Sequence, residues 1–277
     1  MKKILKQVLI LVFILACFHS IEGQYKSTVN IADPAGMLTR LRQNIPAESA
    51  RVLNDSLVSF FKAYTSSDSV FRHRFNTRLL GQVTSPDSLL KIISWNYIPG
   101  QEPGQYVSFV IFRSAKDKIP VVTLLNAEYS KTPPSQQTYH AADWYGCLYY
   151  DARPFSLNGV KYYLLLGIDY GNPLVTRKVI DVLDPGSGAS MSFGLKCFAD
   201  QKAVLNRVVF QYGSNVVMSL KFETQTSVVF DHLSPVSPEY SGNWQFYGPD
   251  FSFDSFTFEN GLWRLKSDID IRNKQGR

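Results

Sequence analysis

The stretch FTFENGLWRL, Phe256 to Leu265, sets an Asn-Gly pair between two runs of alternating apolar and polar residues. Both residues accept positive φ, as the type I′ turn of a two-residue hairpin requires, so the chain should reverse at Asn260-Gly261. Counting outward from Glu259 opposite Leu262, Phe258 meets Trp263, Thr257 meets Arg264 and Phe256 meets Leu265. The spacing predicts that Phe256, Phe258, Trp263 and Leu265 share one buried face. Just upstream, in YGPDFSFD (247–254), Phe251 and Phe253 have the opposite parity to Phe256 and Phe258. A regular strand places the two pairs on opposite faces, unless a bulge near Asp254-Ser255 resets the register. Asp250 and Asp254 are then either ligands for a cation or a sugar, or a turn acid after Pro249 and a solvent-facing bulge residue. The second reading is the simpler one.

The same β pattern continues upstream. LLKIISWNY, QYVSFVIF, IPVVTLL, WYGCLYYD, VKYYLLLGID, RVVFQY, VVMSLKF and SVVFDH all read as strands, separated by turn-forming pairs such as Pro99-Gly100 and Asn158-Gly159. TRKVIDVL competes as a helix, but it is short and rich in β-branched residues and reads more easily as a strand. Short links imply antiparallel meanders. Roughly twelve strands are too many for one flat sheet and imply closure, stacking or blades. No fixed repeat is visible, so a curved or stacked sheet is expected, with a propeller-like arrangement as the alternative. Before the strands, AESARVLNDSLVSFFKAY (47–64) spaces Val52, Leu53, Leu57, Phe60, Phe61 and Tyr64 as the apolar stripe of an amphipathic helix. The fold class is therefore α+β and predominantly β: an N-terminal helical region over residues 24–84 and an antiparallel β domain over 85–273.

The chain opens with MKKILKQVLILVFILACFHSIEG, three lysines and then an apolar run from Val8 to Phe18. That run is too short to span a bilayer but suits the core of a signal peptide, so residues 1–23 are expected to direct export, with cleavage after Gly23. A lipoprotein with its anchor on Cys17 is the alternative, and that anchor is the expected route to a membrane. Cleavage removes three lysines and one glutamate, which lowers the formal net charge from +6 to +4. The remaining basic residues are scattered singly, so nucleic acid is not an expected partner. Two cysteines survive cleavage, Cys147 and Cys197. An oxidising envelope allows them to pair, and two buried thiols are the other reading. No CxxC pair is present, and no metal-type cysteine spacing.

Chemistry is thinly marked. There is no HExxH motif, no GxSxG elbow and no phosphate-cradling glycine loop. No cofactor and no catalytic residue is nominated. The best polar candidate is Asp231-His232, where a strand runs into a Pro-rich loop. Adjacent strand residues point to opposite faces, so each needs a partner elsewhere, and His232 could serve as acid or base with Asp250. Asp143, Asp151, Asp169 and Asp250 lie at strand ends, where a carboxylate pair for glycoside hydrolysis would sit. Among the aromatics, Trp95, Trp144, Tyr145, Trp244, Phe246 and Tyr247 either fill a large β core or stack on sugars. Trp244 and Tyr247, in the loop-like SGNWQFYGPD, are the candidates for binding. The candidate ligand-binding set is thus Asp231, His232, Trp244, Tyr247 and Asp250.

At SPDSLLKIISWN, WYGCLYYD, RKVIDVL, RVVFQYGSNVVMSLKF and VVFDHLSP followed by GNWQFYGPDFSFDSFTFENGLW, the chain resembles a family of uncharacterised exported proteins from Bacteroidetes-type bacteria. The resemblance covers roughly residues 86–273 and is most specific in the C-terminal third. Ser88 and Leu89 follow Asp87 where the family pattern has an SPDG turn. The resemblance implies export and a β-rich fold, and it implies no activity. Two functions follow as expectations: a non-catalytic envelope or secreted protein binding a glycan, a lipid or a protein, and, as the alternative, a hydrolase using Asp231, His232 and Asp250.

Overall fold

A computed structural model describes residues 33–66, 68–114, 119–129, 132–186, 190–200 and 202–270. The expected signal peptide, its cleavage site and the Cys17 anchor lie outside these residues. Among the described residues no helix is long and apolar enough to cross a membrane.

Two helices come first, α1 (Pro34–Leu41) and α2 (Ala47–Thr65). The strands β1 (Gly81–Thr84), β2 (Leu90–Tyr97), β3 (Gln105–Phe112) and β4 (Val121–Glu128) form one sheet in that order. Next in the chain are β5 (Tyr139–His140), β6 (Leu148–Leu157), β7 (Val160–Asp169), β8 (Val175–Asp184) and β9 (Ser192–Phe193). They make a second sheet in the order β5-β9-β8-β7-β6. After β10 (Phe198–Ala199) and β11 (Val204–Leu205), β12 (Val208–Gly213) returns to pair with β8. Finally β13 (Leu220–Thr224), β14 (Ser227–Pro235), β15 (Tyr247–Glu259) and β16 (Leu262–Lys266) build a third sheet, β11-β10-β16-β15-β14-β13. All described pairings are antiparallel except β10 with β16. The fold is mostly β with helix at the N-terminal end, as the turn-punctuated sequence implies.

Strand parity explains how these parts stack. In β2 and β3, Ile93, Trp95 and Phe109 face Leu53, Leu57 and Phe61 of α2. Their neighbours Ile92, Tyr106 and Val110 face the second sheet, against Tyr149, Tyr163, Leu165 and Val179. The other face of that sheet, with Leu164, Leu166 and Ile180, packs on Val228, Phe230, Phe256 and Trp263 of the third. The second sheet is thus buried on both faces, which is why YYLLL in β7 is a continuous apolar run and not an alternation. Each fully buried Leu or Val contributes about 1.5–3 kcal/mol, so a one-residue slip of β7 would exchange the contents of two cores at once.

One charge enters the helix-facing core. Lys91, on β2, is buried and donates to the carbonyls of Val70 (2.6 Å) and His73. Burial, helped by the nearby positive charge of Arg74, pushes its pKa down to about 8. The lysine pins the loop after α2 to the sheet without a carboxylate partner in hydrogen-bond contact.

The C-terminal hairpin has the register read from FTFENGLWRL: Glu259 pairs with Leu262, Phe258 with Trp263, Thr257 with Arg264 and Phe256 with Leu265. Asn260 (φ 52°) and Gly261 (φ 78°) both take positive φ. Phe256 and Trp263 are buried in the core against the second sheet, and Phe258 and Leu265 pack beside them.

Of the two readings of the cysteines, that of two buried thiols holds: Cys147 and Cys197 are both free. They belong to different cores, Cys147 between the first two sheets and Cys197 between the second and third, so the second sheet stands between them. The bulge is not at Asp254-Ser255. Pairing of β14 with β15 passes from Asp231 opposite Phe253 to Leu233 opposite Pro249, which leaves Asp250, Phe251 and Ser252 facing His232 alone. The Asp250 carboxylate closes this bulge by accepting from the Ser252 amide (3.1 Å) and hydroxyl (2.7 Å). Asp254 stays in the regular ladder opposite Phe230 and is buried.

Candidate functional site

The site is built on one cross-strand pair. Where β12 lies along β8, Gln211 is opposite Arg177 and Gly213 opposite Val175. Directly opposed residues share a face, so Val175, Arg177 and Gln211 form a common floor. Arg177 is buried there, with its guanidinium 2.9 Å from the carboxylate of Asp169 at the end of β7. Asp169 also accepts from the Gly171 amide (2.8 Å) and from the Tyr106 hydroxyl. Burial, and then the Asp169 charge, raises the pKa of Tyr106, so its hydroxyl remains a donor. The one cation of the floor is therefore committed to a buried carboxylate.

Two aromatic walls close on this floor, each admitted by a glycine. The Tyr129 ring lies over the Arg177 guanidinium at 4.9 Å, and a Cβ on Gly171 would come within 1.7 Å of that ring. Opposite it, the 3-10 turn Trp244–Phe246 comes down on Gly213, where a Cβ would lie 2.5 Å from the Gln245 carbonyl. This places Trp244 at the groove, 40% exposed, with its ring 4.6 Å from that of Tyr247. The Tyr247 hydroxyl accepts from the Gly242 amide (3.0 Å), which holds Tyr247 as a support behind Trp244.

The other described side chains of the lining, Thr132, Asn172 and Gln211, are polar and uncharged. The Asn172 carboxamide oxygen accepts from the amides of Leu174 (2.8 Å) and Val175 (3.1 Å), so any further bond from that side chain comes from its nitrogen. Thr132 donates to the Gln211 carboxamide oxygen (2.8 Å), which likewise leaves the Gln211 nitrogen as the donor. The groove between the walls has a volume of about 570 Å³, within the range of about 300–1,000 Å³ usual for small-ligand sites.

A second polar cluster sits on the bulge of β15. His232 Nδ1 is 2.9 Å from the buried Asp254 carboxylate, and its Nε2 is 3.9 Å from Asp250. The other oxygen of Asp254 accepts from the Asp268 amide (3.0 Å). The hydrogen bond to Asp254 raises the His232 pKa against the opposing effect of partial burial, and the charges of Asp254, Asp250 and Asp268 add to it. Partial burial disfavours the Asp250 charge, but the Ser252 bonds, the His232 charge and Ser234 outweigh it and hold its pKa below the ordinary carboxylate value. Phe251, next to Asp250 in the bulge, is 94% exposed at φ 70°. A buried carboxylate orienting a half-exposed imidazole is the rear half of a general-base assembly. The Ser252 hydroxyl is engaged with Asp250, and none of His232, Asp250 and Asp254 lines the groove. Among the described residues no group of three metal-ligating side chains could hold a metal ion.

The five sequence candidates thus separate. Trp244 lines the groove, Tyr247 packs on it from outside the lining, and His232 and Asp250 meet at the bulge. Asp231 joins neither: its carboxylate accepts from the Ser219 amide (2.7 Å) and fastens the turn between β12 and β13 to β14. Of the other acids at strand ends, Asp143 accepts from the His140 amide, Asp151 lies by Arg153, and Asp169 is held by Arg177. They do not form a carboxylate pair. Trp95, Trp144 and Tyr145 are core residues. Sequence reasoning missed Tyr129, Asn172, Arg177 and Gln211 in the groove and misplaced Asp254 in solvent. No family model, no curated protein and no solved structure matches the chain.

Proposed function

We propose that the protein is an exported, non-catalytic binding protein of the bacterial envelope whose ligand occupies the groove between Tyr129 and Trp244. The observation that carries this reading is a half-exposed tryptophan at a groove whose one described cation, Arg177, is neutralised by Asp169. Large exposed aromatics held rigid by their surroundings offer contact area at little ordering cost, which suits recognition. Export, and membership of the exported family that the sequence resembles, belong to the same proposal and rest on the N-terminal leader and the quoted motifs. The second reading, a hydrolase, rests on His232 oriented by Asp254, with Asp250 beside it.

A thermal-shift comparison of the mature protein and its Trp244→Ala variant, against panels of envelope glycans, lipids and peptides, tests the proposal. A ligand that binds only the folded state raises its stability by mass action. The expected result is a ligand-induced rise in Tm that disappears in the variant. Hydrolytic turnover lost in His232→Ala and kept in Trp244→Ala would install the hydrolase instead.

A further inference from the structure

We infer that the groove takes a neutral oligosaccharide; this rests on the groove being the ligand site and adds what the ligand is. What each lining group has left to give decides the ligand. The cation Arg177 is buried, ion-paired with Asp169 and covered by the Tyr129 ring, so among the described residues the groove has no free charge for a carboxylate, phosphate or sulfate. A ligand recognised through an anionic group would need a donor that the fold has already committed. That argues for a neutral ligand.

Among the described residues the uncommitted groups include the carboxamide nitrogens of Asn172 and Gln211 and the face of Trp244. A lipid chain would strip water from both amides and return no hydrogen bond, at a cost of about 1–3 kcal/mol for each. A peptide captured by strand addition would bind through main-chain bonds along the outer edge of β12, which pairs with β8 alone among the described strands, and so would not account for the two carboxamides or for Trp244. A sugar meets all three demands. Its hydroxyls accept from amide nitrogens, and the C–H face of its ring stacks on an indole through apolar contact. The groove volume of about 570 Å³ accommodates more than a single small polar molecule, and so suits an oligomer.

The experiment measures binding by tryptophan fluorescence and calorimetry with the folded mature chain. The probes are neutral hexasaccharides (glucans, mannan and xylan fragments), a hexagalacturonate, phosphatidylcholine vesicles, a mixed peptide library and adenosine. Each is applied to the wild type, Trp244→Ala and Gln211→Leu. The expected outcome is saturable binding of at least one neutral hexasaccharide, weakened 10-fold or more in both variants, with little affinity for the hexagalacturonate. Gln211→Leu keeps the aromatic wall, so it guards against a Trp244→Ala variant that merely misfolds its turn. Binding of vesicles, peptide, adenosine or the acidic oligomer that depends on Trp244, with no neutral sugar bound, overturns the sugar assignment and leaves the groove reading standing. Sugar binding unaffected in both variants, or no binding by any probe, overturns both.

Discussion

The groove floor and the bulge of β15 use the same kinds of group to opposite ends. In the floor, Asp169 and Arg177 are both nearly excluded from water and neutralise one another beneath an aromatic ring, so the surface they support is uncharged. On the bulge, Asp254 is buried but its partner His232 is 46% exposed, and a second acid, Asp250, stands at the edge. Charge is consumed by the fold in one place and presented to solvent in the other. A charged pair therefore does not mark a site by itself; what matters is which of its atoms remain unpaired.

The comparison breaks most sharply at Arg177. Removing one member of a buried ion pair typically costs about 3–5 kcal/mol, because the other charge is left without compensation. Asp169 would keep its bonds from Gly171 and Tyr106. Arg177→Met is therefore expected at the lower end, about 3 kcal/mol, by urea denaturation, and Asp169→Asn added to it should recover part of the loss. A cost below about 1 kcal/mol would mean that the floor is not held by its charges.

On the bulge the corresponding change is Asp254→Ala. It removes the acceptor of both His232 and the Asp268 amide, two bonds to a charged group, for an expected loss of about 2 kcal/mol. The sequence reading makes this substitution nearly silent. The discrepancy has a definite origin: burial of Asp254 depends on a bulge that begins at Asp250 and on a main-chain amide fourteen residues later, neither of which the alternation of SFDSFTF reveals.

What was legible in the sequence was local. Two residues that tolerate positive φ, flanked by strict alternation, were enough to set the four pairings from Glu259–Leu262 to Phe256–Leu265. Gly261→Val is accordingly expected to cost about 1–2 kcal/mol in thermal unfolding, since a β-branched residue resists φ near 78°. A silent substitution would show that the hairpin does not depend on its turn. Trp244 was legible too, as an aromatic in a Gly- and Asn-rich loop. Its partners were not, because Gln211 meets Arg177 only when β12 crosses back to β8, and Tyr129 is admitted only by the absence of a side chain at Gly171. The cysteines were left with two readings for the same reason: strand-like surroundings say nothing about which of two cores a side chain enters.

The smallest expected effect is the pH dependence of His232. Its pKa is raised in the folded protein, so the folded state holds the proton more tightly than the unfolded chain, whose imidazole titrates near about 6.5. The stabilisation is fully present below that value and is lost as pH rises through the higher folded pKa. Asp250 acts in the opposite sense: its folded pKa is lowered, so its contribution is present above the ordinary carboxylate range and is lost on acidification. Together they favour the bulge most in mildly acidic solution. Because His232 is about half exposed, screening should keep its share under about 1 kcal/mol. The measurement is the unfolding free energy of wild type minus His232→Gln at pH 5.5 and 8.5, a difference from which titrations elsewhere cancel. It should be larger at pH 5.5; an equal or larger difference at pH 8.5 would show that Asp254 and Asp250 do not hold a protonated imidazole, and the contrast between the two regions would lose its electrostatic basis.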